Sequence, residues 1–116
     1  MIYNKEINGV KFTLVCESWQ TQNSWGHKVS LYRNEFFFVG SAKIRYYNRT
    51  WEKYLYQSAI KSVIYNVIAE IKAAAKKVFL SMHDYKVMTK KRAAAFLEYL
   101  EKDNEYNMYN ELLKMF

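Results

Sequence analysis

Arg45, Asn48 and Arg49, set among Tyr46, Tyr47 and Trp51, are the residues of this chain best suited to gripping an anionic, planar ligand. Guanidinium forks take phosphate oxygens two at a time, an Asn amide suits a base edge or a ribose, and aromatic faces suit a purine. The same residue types also build an ordinary strand-to-helix corner. Lys90, Lys91 and Arg92 form a second basic cluster, in the first turn of a predicted helix, where the helix dipole disfavours each cation by about a few tenths of a kcal/mol. That placement makes sense if an anion docks there, because exposed N–H groups and three cations would converge on it. Solvent can equally absorb the penalty.

Trp19 and Trp25 lie in Ser18–Gly26, a stretch without periodicity that reads as a loop. Two large aromatics in a polar loop either fold back over a sheet edge or offer a stacking surface to a partner. In the second case Gln20, Gln22 and Asn23 add donors and acceptors. The ligand-binding set expected from sequence is therefore Trp19, Trp25, Arg45, Asn48, Arg49, Lys90, Lys91 and Arg92.

Charge is concentrated around these residues. The 116-residue chain carries +7 overall, but residues 43 to 92 hold twelve Lys and Arg against Glu52, Glu70 and Asp84, a net of +9. The first 42 residues sum to +1 and the segment after 92 to −3. A basic belt of this kind complements phosphate-bearing partners or an acidic protein surface, through fields that salt screens.

Catalytic signals are weak. His27 and His83 stand alone in sequence, and there is no Gly-rich phosphate loop, H-E-x-x-H or Cys/His ligand spacing. A non-enzymatic protein without metal or cofactor is expected. Cys16, the only cysteine, falls on the apolar side of a strand alternation and reads as a small core residue. Its solitude excludes an intramolecular disulfide and fits a reducing compartment. No apolar run reaches the roughly 18 residues of a membrane span, and the N-terminus lacks a secretory pattern, so a cytoplasmic protein is expected.

The elements that must position these residues follow from local pattern. Ile2–Ile7 and Val10–Glu17 flank Asn8-Gly9, a dipeptide that accepts the positive φ angles of a type I′ hairpin turn. A second hairpin joins Lys28–Arg33 to Phe36–Tyr47 through Asn34-Glu35. It places Phe36, Phe38, Gly40, Ala42 and Ile44 on one face, and Phe37, Val39, Ser41, Lys43 and Arg45 on the other. Gly40 marks a bulge or a close backbone approach.

Thr50 suits the cap of a long helix running from Trp51 to about Leu80, with two apolar stripes. One, through Leu55, Ala59, Val63, Val67, Ile71, Ala74 and Val78, can cover the sheet. Its neighbour can pack on a second helix or on a symmetry mate, which favours a homo-oligomer. Thr89 can cap a helix over 90–102, and Asp103 or Asn104 starts a last one. The expectation is α+β: an antiparallel sheet of about four strands in two hairpins (1–47), then a long helix and one or two C-terminal helices (50–116), all one domain.

The run Lys43-Ile-Arg-Tyr-Tyr-Asn-Arg-Thr-Trp-Glu-Lys-Tyr-Leu-Tyr-Gln-Ser58 resembles segments of small accessory proteins carried by phages and mobile elements of low-GC bacteria. In layout and size the chain is also similar to the phage anti-Thoeris sponge proteins, oligomers that sequester cyclic ADP-ribose-type signals. That likeness implies capture of a small nucleotide immune signal, without mapping any family site residue onto this sequence. The alternative is an inhibitor that docks on a host defence protein or nucleic acid through its basic–aromatic surface.

Overall fold

Two left-handed turns fix the hairpins. Asn8 and Gly9, between the paired Ile7 and Val10, take φ of 51° and 80°, the positive angles that a two-residue type I′ turn requires to match strand twist; Asn34 and Glu35 also take positive φ, 52° and 72°, in a three-residue connection between the paired Arg33 and Phe37. The computed structural model describes residues 1–46, 52–83 and 88–116; at Tyr46 and over 52–55 it describes the backbone alone. Strands β1 (Ile2–Ile7), β2 (Val10–Gln20), β3 (Trp25–Arg33) and β4 (Phe37–Tyr46) form one antiparallel sheet in chain order. The long helix α1 (Glu52–Met82) follows, then α2 (Lys90–Glu101) and α3 (Asn104–Lys114). The α+β architecture read from sequence is the one observed.

One sheet face is apolar and covered. Phe12, Leu14 and Cys16 of β2 and Val29 and Leu31 of β3 are buried against Ala59, Ile60, Val63, Ile64 and Val67 of α1 and Met108, Tyr109 and Leu112 of α3. Each large side chain so enclosed contributes about 1.5–3 kcal/mol relative to exposure. The second stripe of α1 thus packs within the chain, on α3 along its first half and on α2 in its last turns. Cys16 is a core residue, as its alternation indicated, and burial pushes its thiol above the usual range although the nearby N-terminal amino group pulls it down.

Three features depart from the sequence reading. Ser18–Gly26 is not a loop: β2 runs on to Gln20 and β3 starts at Trp25, so Ser18, Trp19 and Gln20 pair with His27, Gly26 and Trp25. The turn shrinks to Thr21–Ser24, closed by the Thr21 N–H donating to the Ser24 carbonyl at 2.7 Å. Polar residues on a two-sided ladder mimic loop composition.

The faces of β4 also differ. Leu31 pairs with Gly40 but Tyr32 with Phe38, so Val39 is an extra, bulged residue. Beyond it the parity inverts: Val39 joins the core side, and Phe38 turns outward to meet Tyr32 edge-on, centroids 5.7 Å apart. Gly40 sits at this irregularity, where a Cβ would lie 3.8 Å from both Val63 and Val67.

Third, α1 overhangs the sheet. At about 1.5 Å per residue the helix is longer than any strand, and Ala74 and Val78, expected under the sheet, are exposed beyond its end. Its last turns carry a separate small cluster, Ala75 and Phe79 against Phe96 and Leu100 of α2. Thr89 and Asp103 cap α2 and α3 as expected, accepting from the backbone N–H of Arg92 and Tyr106. Thr50 and Trp51 lie outside the described residues. No helix among the described residues is long and apolar enough to cross a membrane.

Candidate functional site

Residues of three strands meet at the turn end of the β2–β3 hairpin. On the outer sheet face Trp19 lies across from Gly26, whose missing side chain is what admits the indole. A Cβ on Gly26 would approach Trp19 ring atoms to 2.7 and 2.8 Å and would collide with the Ile44 carbonyl. From β4 two cations come over the same indole: the Lys43 Nζ is 4.4 Å from a ring centroid and the Arg45 guanidinium carbon 5.3 Å. Both distances fall within the reach of cation–π attraction.

Lys28 extends the patch, since it pairs with Lys43 on one side and with Glu17 on the other. Three cations and one carboxylate therefore share this face. The indole N–H of Trp19 is shielded from solvent and has no hydrogen-bond partner among the described residues. A desolvated donor beside two cations is a costly arrangement that an anionic or carbonyl acceptor would relieve.

Behind this patch, on the core face, three polar side chains link the sheet to α1. His27 is 2% exposed, and its Nδ1 lies 3.2 Å from the hydroxyl of its cross-strand partner Ser18. Ser18 Oγ is in turn 2.6 Å from the Tyr56 hydroxyl, and the Tyr56 ring lies against the imidazole at 3.9 Å. Trp25, half-buried, meets His27 edge-on at 5.5 Å. A serine beside an imidazole is half of a nucleophile-and-base pair. Here the hydroxyl is also tied to Tyr56, so these groups clip α1 to the end of the sheet that carries Trp19.

Of the residues expected from sequence, Trp19 and Arg45 come together. Trp25 is close by but on the opposite face, packed inward. Asn48 and Arg49 lie outside the described residues. Lys90, Lys91 and Arg92 do occupy the first turn of α2, but α2 packs on the far end of α1, with Phe96 5.4 Å and Tyr99 5.7 Å from Phe79. Tyr56 marks the near end, and Phe79, 23 residues further on, is about 35 Å along the helix. Within one chain the two basic clusters stand at opposite ends of α1.

Lys28, Gly26 and the Ser18–His27–Tyr56 link escaped the sequence reading, and Lys43 entered it as part of the basic belt and of the 43–58 run but not of the ligand-binding set. The signal was present in part: His27 continues the two-residue period of Val29 and Leu31, and extending it would have placed His27 inward and Lys28 outward with Trp19. Nothing among the described residues forms a group of three or more potential metal ligands.

Comparison of the chain with protein-family models, with curated proteins and with solved structures gave no match.

Proposed function

We propose that this protein binds a small phosphorylated nucleotide and sequesters it without turnover, as a phage-type anti-defence protein acting in the host cytoplasm on an immune signal of the cyclic ADP-ribose or cyclic oligonucleotide class. The observation that carries the reading is the convergence of Lys43 and Arg45 on Trp19, beside a desolvated indole N–H. The two cations take phosphate oxygens, Arg45 bidentately. The indole N–H offers a donor to a base or ribose acceptor once the cations swing from the ring to the ligand. The choice of signal class comes from the resemblance of residues 43–58 and of the overall layout.

Thermal-shift and calorimetric screening against cyclic nucleotides and cyclic ADP-ribose-type molecules tests this. A ligand that binds only the folded state at a hundred times its Kd stabilises it by about 2.7 kcal/mol. The expected result is a rise in Tm with one member of the panel, lost in Arg45→Ala, and recovery of that ligand unchanged after incubation. No shift with any member overturns the reading.

A second reading is favoured by the exposed cations of the belt: docking on a host defence protein or on nucleic acid. Direct nucleic-acid binding predicts an affinity that falls linearly with the logarithm of salt concentration, with a slope reporting several phosphates.

A further inference from the structure

We propose that the outer face of the sheet binds single-stranded nucleic acid along a lane over β3 and β4, with one base on Trp19, another about 20 Å away on Phe38 and Tyr32, and the intervening phosphates on Lys28, Lys43 and Arg45. The lane rests on the nucleotide reading for the phosphate roles of Lys43 and Arg45, and goes beyond it in the length of the ligand and in the use of Phe38.

No helix among the described residues covers this face. The residues of α1 and α3 that pack on the sheet meet Phe12, Leu14, Val29 and Leu31, which alternate with the lane residues and point the other way. By register the lane has four rows, counted from the β2–β3 turn: Gly26, beneath Trp19, with Arg45; Lys28 with Lys43; Ser30 with Ser41; Tyr32 with Phe38. Lys28, Ser41, Lys43 and Arg45 are exposed, and Phe38 is 54% exposed. The bulge at Val39 delivers Phe38 to this face, since without the extra residue Phe38 would pair with Arg33 and turn to the core side.

Charge selects a polyanion. Neither β3 (Trp25–Arg33) nor β4 (Phe37–Tyr46) contains a carboxylate, and Glu17, on β2, lies at the flank opposite Lys28. Three cations of one sign in two adjacent rows, followed by the hydroxyls of Ser30 and Ser41, make a track for a phosphate backbone. Protein–protein interfaces are depleted in lysine and serine at their centres, so a lane centred on Lys28, Lys43, Ser30 and Ser41 fits phosphates better than an acidic protein.

The aromatic ends make the strand single. In a duplex the base faces are stacked on one another and an external ring has nothing to lie on, whereas unpaired bases offer their faces to aromatic side chains. One face of the Trp19 ring lies on Gly26 and the other lies under Lys43 and Arg45; when the two cations move to phosphates, that second face is free for a base. Tyr32 is six residues on from Gly26, about 20 Å along the strand, a distance that a single strand bridges with about four to six nucleotides at 3.4 Å or more apiece. A mononucleotide or a small cyclic signal reaches the Trp19 end alone, so ligand length separates the lane from the patch.

Fluorescence anisotropy with labelled oligothymidylate and oligouridylate ten nucleotides long tests the lane, the two probes separating DNA from RNA. Binding of one or both is expected, with a salt slope of about −2 for three neutralised phosphates, and with the dinucleotide and a ten-base-pair duplex at least tenfold weaker. Phe38→Ala should weaken the ten-nucleotide strand about tenfold, as the loss of one stacked base does, and so should Lys28→Ala, whose exposed position keeps the test intact if Phe38→Ala disturbs its strand. Lys76→Ala/Lys77→Ala, which removes exposed cations of the same belt from α1, should leave the affinity unchanged. The lane is overturned if neither strand binds, if the duplex or polyglutamate of matched charge binds as tightly, or if Phe38→Ala and Lys28→Ala, both folded by their urea midpoints, bind as the natural chain does. A small nucleotide bound without either strand refutes the lane and keeps the nucleotide reading; a strand bound without any small nucleotide refutes that reading and keeps the lane.

Discussion

The Trp19 indole rests on the bare backbone of Gly26, its cross-strand partner, at distances a Cβ would reduce to 2.7 and 2.8 Å. That contact decides how the basic residues of β4 are presented: with the indole flat on β3, Lys43 and Arg45 are gathered over one ring instead of dispersing into solvent.

Gly26→Ala should therefore cost more than an ordinary strand substitution. The new methyl strikes both the indole and the Ile44 carbonyl, and overpacking of this kind costs about 1–3 kcal/mol. A lowered urea midpoint together with a red shift of tryptophan emission is expected. An unchanged midpoint would mean that Trp19 does not lie down on Gly26.

Removing the Ser18 hydroxyl tests the link between sheet and helix. Ser18→Ala removes one contact of His27 Nδ1 and one of the Tyr56 hydroxyl at once, and should cost about 0.5–1.5 kcal/mol for each hydrogen bond lost. Tyr56→Phe takes away only the far end of the chain and should cost less. Chemical denaturation of both variants and of the double variant checks this, and the double should fall short of the sum because the three groups form one network.

The pH dependence above neutrality has a definite sign. Burial raises the Tyr109 hydroxyl above the ordinary tyrosine range, with Arg33 pulling it part of the way back, and burial likewise raises the Cys16 thiol above the ordinary thiol range. Groups raised in the folded state bind protons there that the unfolded chain has lost. Their contribution is complete below the unfolded pKa and disappears as pH rises through the folded one. Stability should thus decline from about pH 9 upward, first through Cys16 and then through Tyr109. Urea midpoints between pH 8 and pH 11 should fall less steeply in Tyr109→Phe than in the natural chain; parallel slopes would contradict the assignment.

How much of this was legible in the sequence depends on whether the cause is local. The Asn8-Gly9 turn, the alternation of Phe12, Leu14 and Cys16 and the caps Thr89 and Asp103 act within a few residues, and each reads directly. The extension of β2 through Trp19 does not, because Ser18–Gly26 has the composition of a loop and its strand character comes only from pairing across the sheet. The bulge at Val39 has only the neighbouring Gly40 to mark it, yet it turns Phe38 outward and Val39 inward. Arg45 and Trp19 were both legible as candidates, but not their meeting, which follows from a three-strand register. Lys90–Arg92 illustrates the converse. Its helix start was read correctly, while its distance from Arg45 is set by the length of α1 and by the packing of Phe96 on Phe79.

The Arg33–Glu105 pair ties α3 to β3 through two hydrogen bonds, at 2.5 and 3.0 Å. With the Glu105 side chain 49% exposed, solvent screens the pair, and Glu105→Gln should cost no more than about 1 kcal/mol. A thermal unfolding scan checks this, and a larger loss would show that α3 docking depends on charge more than on Met108, Tyr109 and Leu112.

The central claim is that Lys43 and Arg45 over Trp19 form an anion site for a phosphorylated nucleotide. Its most direct measurement is the calorimetric affinity of the stabilising nucleotide for the natural chain and for Lys43→Ala and Arg45→Ala, whose exposed side chains leave the fold undisturbed. Each variant should lose about 1.5–3 kcal/mol of binding, as expected for hydrogen bonds to charged groups, with no change in Tm without ligand. Equal affinity in all three proteins, or no nucleotide bound by the natural chain, would contradict it.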